Sequence, residues 1–360
     1  MINKVIWMPL LLSIITLVFA ACNDADANQV PEETTVDSTS SAQSEAALPS
    51  PNIVWRQAAF TPTPSLAPAV QSATNTPLAD AQAPTAVISP TPVEDPLKLL
   101  NGDHFWLRRP FAKSNGVRDY IETAYPYGTT ALGFRPHHGA DYPNLAGTFV
   151  RAVADGTVIY VGTDLDPNRQ LFGPETNFYG NLIVLEHQFE LADHPGVTIT
   201  MYTLYGHLSE IYVEEGVTIE AFQEIGAVGQ AGVAIGPHLH LEVRLGDDPY
   251  DYGATYNPSL WIPPWNGYGI LAGRVMQRNG EFLADVEVEI ISQDTGRTYR
   301  TFTYHYDEVN SDPWFQENFV MPDLPAGRYD VRVKYLGRIA YQSQVDVFDG
   351  RTAMINAIID

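Results

Sequence analysis

The sequence has a single cysteine, Cys22, among its 360 residues. One thiol cannot form an intramolecular disulfide, and it cannot build the cysteine cluster of a structural metal site. The chain is nevertheless 45% hydrophobic, which is enough to bury real cores. Its length corresponds to about two domains.

Basic residues are also scarce. The chain has 20 Lys and Arg against 43 Asp and Glu, which gives a formal net charge of −23. No block of Lys and Arg is available to neutralise phosphates, so the composition argues against nucleic-acid binding. The same charge provides no attraction to an anionic membrane surface.

Sustained 3.6-residue hydrophobic periodicity is absent from residues 97–266. Instead, Gly and Pro punctuate short apolar runs such as "GTVIYVG", "NLIVLEH" and "VTITMYTLYG". This pattern predicts a mostly-β domain built from antiparallel sheets. The polar, proline-containing stretch 164–180 predicts a long loop, and long loops in compact domains often border functional sites.

The N-terminus reads "MINKVIWMPLLLSIITLVFAACN", in which one lysine precedes an apolar run. This is typical of an export signal, over residues 1–21. The "FAAC" that ends at Cys22 resembles a bacterial lipobox, although Phe19 stands where leucine is usual. The resemblance implies that Cys22 is lipidated and becomes the mature N-terminus. The alternative is an uncleaved N-terminal anchor, and in both cases the body of the chain lies outside the cytoplasm.

Residues 22–96 are rich in Ala, Ser, Thr and Pro. Such a segment cannot bury enough apolar surface to offset the entropy lost on ordering. We therefore expect a disordered tether that lets an anchored domain reach a nearby layer such as a cell wall.

Residues 267–360 contain short strand-like runs separated by turn signals, including Asn279-Gly280. The spacing predicts a small antiparallel β-sandwich. The pattern "LAGRVMQRNGEFLADVEVEI…LPAGRYDVRV" resembles the carboxypeptidase regulatory-like, transthyretin-like fold. That resemblance implies an accessory domain without catalytic residues, whose partner the sequence does not identify.

Five of the nine histidines fall into three short motifs of the middle domain, "RPHHGADY", "LYGHLSE" and "GPHLHLEVR". Hydrolytic zinc sites use three His, Asp or Glu ligands and leave a position open for water. They also need groups that move protons and stabilise an oxyanion. The motifs can meet both needs, but spacing alone does not choose between His238 and His240 as a ligand, and it does not exclude His138.

The same motifs, with "GTFVRAVADGTVIYVG", "YGNLIVLEH" and "NPSLWI" around them, resemble the lysostaphin and LytM family of zinc peptidases. The resemblance covers about residues 131–262. It implies the β fold called the duplicated hybrid motif, one Zn²⁺ per chain, and hydrolysis of peptide bonds in peptidoglycan.

Residue by residue, the resemblance implies that His137, Asp141 and His240 are the zinc ligands. It also implies that His207 and His238 are catalytic. One of these two histidines would act as general base toward the water that zinc activates, and the other would steady the oxyanion.

Three further residues are candidates for the surroundings of this site. His187 lies where the family often has a histidine at a strand end, which suggests a structural or supporting position or one in the groove. Tyr205 precedes His207 by two residues, so strand alternation would place it on the same face, lining the cleft or half-buried. Glu242 could orient a ligand histidine, although a solvated surface pair with Arg244 is favoured.

Two other functions remain open. Some relatives keep the fold, lose metal ligands and regulate other wall hydrolases without catalysis, and a solute-binding or metal-storage lipoprotein is a third possibility. The complete set of ligand and catalytic histidines favours the enzyme. The acidity of the chain departs from that of many wall-binding relatives, which are basic.

Overall fold

The computed structural model describes residues 95–130, 133–168, 170–305 and 308–360. The predicted export signal, Cys22 and nearly all of the tether lie outside these residues. The described residues belong to one compact unit that extends to Asp360. Among them, no helix combines the length and the apolar character needed to span a membrane.

Seventeen strands are the main regular secondary structure of the described residues, and the helices are short 3-10 turns such as Pro96–Leu99 and Pro258–Leu260. In chain order the strands are β1 Ala140–Pro143, β2 Phe149–Arg151, β3 Gly156–Thr163, β4 Asn181–Glu190, β5 Thr198–Gly206, β6 Leu208–Ile211, β7 Thr218–Ile219, β8 Glu224–Val228, β9 His238–Leu245, β10 Thr255–Tyr256, β11 Tyr268–Gln277, β12 Glu287–Ser292, β13 Thr298–Phe302, β14 Phe319–Pro325, β15 Gly327–Tyr335, β16 Arg338–Val347 and β17 Thr352–Ile359.

The largest sheet, here called the main sheet, has the strand order β1-β9-β5-β4-β3-β7, and β10 also pairs with β9. All of its pairings are antiparallel. Side chains alternate between the two faces of a strand. Leu239, Leu241 and Val243 of β9 therefore point into the apolar core, and they are fully buried there.

A second sheet, β2-β8-β6, contributes Val150, Leu208 and Ile225 to the same core. This face of the main sheet is thus covered by a second β layer. The other face carries the even-numbered, polar residues of β9 beside a smaller apolar cluster that includes Leu182, Val184 and Leu204, and it is called the polar face here.

Residues 267–360 form two more sheets, β14-β11-β17 and β13-β12-β15-β16. Their inward side chains share one apolar cluster, which includes Val288, Val331 and Phe319. Most neighbours are antiparallel, and β11 pairs with β17 in parallel. The two sheets enclose this core as the halves of a sandwich.

The sandwich is attached to the rest of the unit by buried polar contacts. The His104 Nε2 atom lies 2.7 Å from Asp312 Oδ2, and the Asn257 side-chain amide donates to the Tyr304 hydroxyl at 3.0 Å. Ile270 of β11 joins the core beneath the main sheet. Both polar and apolar contacts therefore cross the predicted boundary at residue 266, and the division into two domains stays a prediction.

The prediction of a mostly-β chain with antiparallel sheets is confirmed. The long loop predicted over 164–180 fills the interval between the end of β3 and the start of β4. It leads directly to the polar face of the main sheet.

Candidate metal centre

Strand β9 brings four polar side chains to one face. His238, His240, Glu242 and Arg244 alternate with the core residues of the strand, as its period of two requires. His240, Glu242 and Arg244 are buried, and His238 is partly exposed. Most of the polar face of β9 is therefore shielded from solvent.

Strand β1 pairs with β9 so that Asp141 lies directly opposite His240. The glycine of the "HHGAD" motif explains how the chain reaches this position. A Cβ atom on Gly139 would lie 2.8 Å from the His240 ring and 2.6 Å from the Leu241 carbonyl oxygen. Only glycine allows this close approach, which places His137 and Asp141 on the two sides of the turn into β1.

The side chains of His137, Asp141 and His240 converge. His137 Nε2 lies 3.2 Å from Asp141 Oδ1 and 3.2 Å from His240 Nδ1. His240 Nδ1 lies 2.9 Å from Asp141 Oδ1. Two ligands of a tetrahedral zinc ion with bonds of 2.0–2.1 Å would be ~3.3 Å apart, so the spacing and the donor types both fit zinc. Among the described residues, these three form the group whose ligand atoms lie close enough together to hold a metal ion.

The electrostatics of this group favour positive charge. Burial alone would raise the pKa of Asp141, but the charges and hydrogen bonds of His137 and His240 outweigh burial and hold this pKa well below its usual range. Burial would likewise lower the pKa of His240, but hydrogen bonds to Asp141 and Glu242 raise it to about 9. Two carboxylates thus contact the His240 ring, Asp141 at Nδ1 beside the other ligand atoms and Glu242 at Nε2 behind them.

His207 and His238 stand beside these three residues. The rings of His207 and His238 have centroids 4.8 Å apart, and those of His207 and His240 are 5.7 Å apart. His238 Nε2 lies 3.7 Å from Asp141 Oδ1. All five residues that the family resemblance implied are therefore brought to one place.

Backbone carbonyls determine the tautomers of the two additional histidines. His207 Nδ1 lies 2.7 Å from the carbonyl oxygen of Ala231, and His238 Nδ1 lies 2.9 Å from that of Gly236. Because a carbonyl can only accept, each Nδ1 carries the hydrogen, and each neutral ring keeps its lone pair on Nε2. Burial, helped by the charges of the neighbouring histidines, lowers the pKa of His207 to about 3.

The expectation that Tyr205 shares a face with His207 is wrong. His207 has a φ of 62°, which ends the alternation of β5 and turns its ring toward the metal ligands. Tyr205 stays in register opposite Leu241 on the core side, and it is fully buried there. Its hydroxyl accepts a hydrogen bond from the Val153 amide.

His187 also lies on the core side of the main sheet and not in the groove. Its Nδ1 lies 2.7 Å from the carbonyl oxygen of Asp155, and its Nε2 lies 2.8 Å from Thr203 Oγ1. With both nitrogens engaged in the core, His187 is structural, which was one of the two alternatives.

His138 turns away from the three ligand atoms. Its Nδ1 lies 3.0 Å from the carbonyl oxygen of Tyr252 and 3.1 Å from Thr255 Oγ1. Its ring stacks on Tyr252 with centroids 3.7 Å apart. The structure thus separates His138 from its neighbour His137, a distinction that spacing could not make.

The favoured prediction for Glu242 and Arg244, a solvated surface pair, is wrong. Their side chains are 0% and 1% exposed. Glu242 Oε1 lies 3.1 Å from His240 Nε2, so the carboxylate contacts a candidate ligand from behind. The alternation of β9 placed it on the correct face but could not show that the face was covered.

Two tyrosines of the site were missed from the sequence. Tyr125 stacks on His137 with centroids 4.3 Å apart, and the Tyr179 hydroxyl donates to Glu242 at 2.5 Å. Tyr179 lies near the end of the predicted long loop, which was the available signal. Nothing in the sequence around Tyr125 pointed to this contact.

Residues 135–252 match the model of Peptidase family M23. The DD-carboxypeptidase/endopeptidase Mpg of Neisseria meningitidis serogroup B is 35% identical over 116 residues, which are 32% of this chain and 22% of that protein. The peptidoglycan DD-endopeptidase ShyB of Vibrio cholerae is 32% identical over 117 residues, again 32% and 22%. The chain thus spans about a fifth of the length of these relatives.

A third relative, the glycyl-glycine endopeptidase ALE-1 of Staphylococcus capitis, is 30% identical over 139 residues, 37% of this chain and 33% of that one. Among solved structures, the lysostaphin catalytic domain of Staphylococcus simulans matches with 26% identity and a TM-score of 0.28, covering 40% of this chain and 90% of that one. A catalytic-domain mutant of the prophage-encoded M23 protein EnpA of Enterococcus faecalis matches with 29% identity and a TM-score of 0.28, covering 41% and 93%.

Proposed function

We propose that the M23 domain of this chain is a zinc-dependent endopeptidase that hydrolyses peptide bonds of peptidoglycan. One observation carries the proposal. The ligand atoms of His137, Asp141 and His240 lie within 4.8 Å of one another, and two further histidines present Nε2 lone pairs beside them. A metal-storage site would need the three ligands without the two additional histidines.

The donor set of two imidazole nitrogens and one carboxylate oxygen suits a catalytic zinc ion, because it leaves a coordination position open. Bound zinc supplies a Lewis acid that polarises a carbonyl group and makes water acidic near neutral pH. The protein's part is to hold the ligands in place and to move protons.

His238 and His207 would carry the protons. His238 Nε2 faces Asp141, so it is placed to accept a proton next to the ligands and to pass it to the leaving amine. His207 lies against the His238 ring on the same side, where its Nε2 can support the negative charge that develops on the substrate oxygen once that nitrogen has taken up a proton. Hydrogen bonds from Nδ1 to backbone carbonyls restrain both rings in this orientation.

The substrate class rests on the relatives, whose names include peptidoglycan DD-endopeptidases and a glycyl-glycine endopeptidase. We extend this to peptides of peptidoglycan for the present chain. The N-terminal segment supports the same proposal, because an exported protein anchored through a lipid on Cys22, or through an uncleaved signal, would face the wall. Residues 22–96 would span the distance between membrane and wall.

The decisive experiment is mass spectrometry of peptidoglycan digested by the purified protein, from Asp95 to the C-terminus, with zinc and with a chelator. We expect new amine termini only in the zinc sample, and their position identifies the scissile bond. Elemental analysis should find about one zinc per chain.

If zinc-loaded protein releases no amine from any peptidoglycan type, the enzyme proposal is wrong. A non-catalytic regulator would then be tested by adding the protein to other wall hydrolases and measuring their rates.

A further inference from the structure

A buried polar network lies behind the candidate metal ligands. It consists of Glu242, Arg244 and Tyr179, of which none is more than 1% exposed. Glu242 Oε2 accepts from Arg244 Nε at 2.8 Å and from Nη2 at 2.6 Å. Glu242 Oε1 accepts from the Tyr179 hydroxyl and lies 3.1 Å from His240 Nε2. Both carboxylate oxygens thus have hydrogen-bond partners within the protein.

Such a network is costly to bury. Removing a carboxylate and a guanidinium from water costs several kcal/mol per ion, and apolar side chains of similar volume often serve stability as well or better. Stability is therefore a weak reason for an ion pair at this position. The contact of Glu242 with His240 suggests that the pair serves the metal site instead.

We propose that Glu242 is a positioning residue that fixes the tautomer and orientation of His240 for metal binding. A carboxylate only accepts, so the hydrogen of the His240 ring lies on Nε2 when metal is bound, and the lone pair of Nδ1 is directed at Asp141 and His137. A ligand histidine held by a carboxylate in this way is also a better electron donor. The inference rests on the proposed metal site.

Tyr179 extends the network to the catalytic side. Its hydroxyl holds Glu242, and its backbone carbonyl accepts from the His207 amide at 2.8 Å. Asp164 in turn accepts from the Tyr179 amide at 2.7 Å. One residue at the end of the 164–180 loop thus links the support of His240 to the position of His207.

Arg244 connects the same carboxylate to the loops around the site. Its guanidinium donates to the carbonyl oxygens of Phe172 at 2.8 Å and Pro249 at 2.9 Å. Glu242 is therefore held by two elements besides β9. By contrast, His137 Nδ1 has no hydrogen-bond partner among the described residues, and Tyr125 stacking restrains that ring instead.

A matched pair of tyrosine variants tests the proposal in the zinc-binding protein. Tyr179→Phe and Tyr205→Phe each remove one hydroxyl from a fully buried tyrosine. Tyr205 lies in the main core, and Tyr179 packs in the smaller apolar cluster on the other face of the main sheet. We expect Tyr179→Phe to weaken zinc binding several-fold in chelator competition and to alter the absorption spectrum of the Co²⁺-substituted protein. Tyr205→Phe should lower the unfolding midpoint without changing either property.

Two double variants test Glu242 itself without leaving an unpaired buried charge. In Glu242→Leu/Arg244→Met the acceptor for His240 is lost, and zinc affinity should fall ~10- to 100-fold. In Glu242→Gln/Arg244→Met a neutral acceptor remains, and much of that affinity should return. Circular dichroism and thermal unfolding of the zinc-free proteins report whether each variant folds.

The proposal is overturned if folded Glu242→Leu/Arg244→Met binds zinc as tightly as the wild type. It is also overturned if the two tyrosine variants change zinc affinity equally. Should the double variants not fold, the tyrosine pair decides alone. None of these measurements uses substrate, so a wild-type protein that cleaves no peptidoglycan would refute the proposed function and leave this inference standing.

Discussion

Each face of the main sheet buries a histidine, and the pKa values of the two rings are shifted in opposite directions. His187 on β4 and His240 on β9 are separated by a single strand, β5. His187 meets a backbone carbonyl and a hydroxyl, and burial lowers its pKa to about 4. His240 meets two carboxylates, which outweigh burial and raise its pKa to about 9.

This comparison shows that burial by itself does not make a histidine functional. The core face satisfies His187 with neutral groups and keeps the ring uncharged. The polar face concentrates negative charge around His240 and leaves Nδ1 directed at other ligand atoms. The partners of each ring, and not its burial, separate a structural histidine from a candidate metal ligand.

The largest effect should come from removing the histidine of the polar face. His240→Ala deletes one of three ligands, so we expect the purified protein to lose its zinc. Peptidoglycan hydrolysis should fall by ~1,000-fold or more, because several kcal/mol of charge stabilisation are lost.

His138→Ala is the matched control, since it also removes a buried histidine from the same region. It should retain about one zinc per chain. Stoichiometric zinc in His240→Ala would contradict the ligand assignment.

A smaller effect on activity is expected from the neighbouring histidine that binds no metal. His207→Ala should keep its zinc and lose ~10²- to 10³-fold in hydrolysis rate, the range typical of a group that stabilises an oxyanion. Elemental analysis and the release of amine termini are measured on the same preparation. Full activity in this variant would show that His207 has no catalytic part.

The smallest effect concerns stability on the core face. The pKa of His187 is 6.5 in the unfolded chain, and burial lowers it to about 4 in the folded protein. Between these two pH values the unfolded chain binds a proton at His187 and the folded protein does not. Folding stability from this residue is therefore complete above pH 6.5 and is lost as the pH falls through that window, at ~1.4 kcal/mol per pH unit. In His187→Gln this contribution to the slope should be absent.

Denaturant unfolding between pH 4.5 and 7.5, with chelator present so that metal does not contribute, measures the difference. The His187→Gln variant should be less stable than the wild type at pH 7, because glutamine fits the two partners of the ring less well. The difference in free energy of unfolding between the two proteins should narrow on acidification. Parallel pH profiles of the two proteins would contradict the assignment of His187 as a buried neutral group.

Strand alternation was a reliable guide on β9, where a period of two placed His238, His240 and Glu242 on one face. It failed on β5 because His207 takes a left-handed backbone conformation, with φ of 62°. The alternation of side chains between two faces holds only while every residue keeps extended backbone angles. One residue with a left-handed conformation breaks it, and the sequence pattern does not show where this happens. Tyr205 was misplaced for this reason.

Short-range sequence thus determined the β architecture, the three histidine motifs and, through family resemblance, the five residues that meet at the site. It could not determine which polar side chains are covered, because burial depends on elements distant in the chain. Glu242 is hydrogen-bonded to Tyr179, which is 63 residues away along the chain. Arg244 is hydrogen-bonded to the carbonyl of Phe172, which is 72 residues away. Only the tertiary structure brings a loop over that face, and this cover turns a surface pair into the support of a candidate metal ligand.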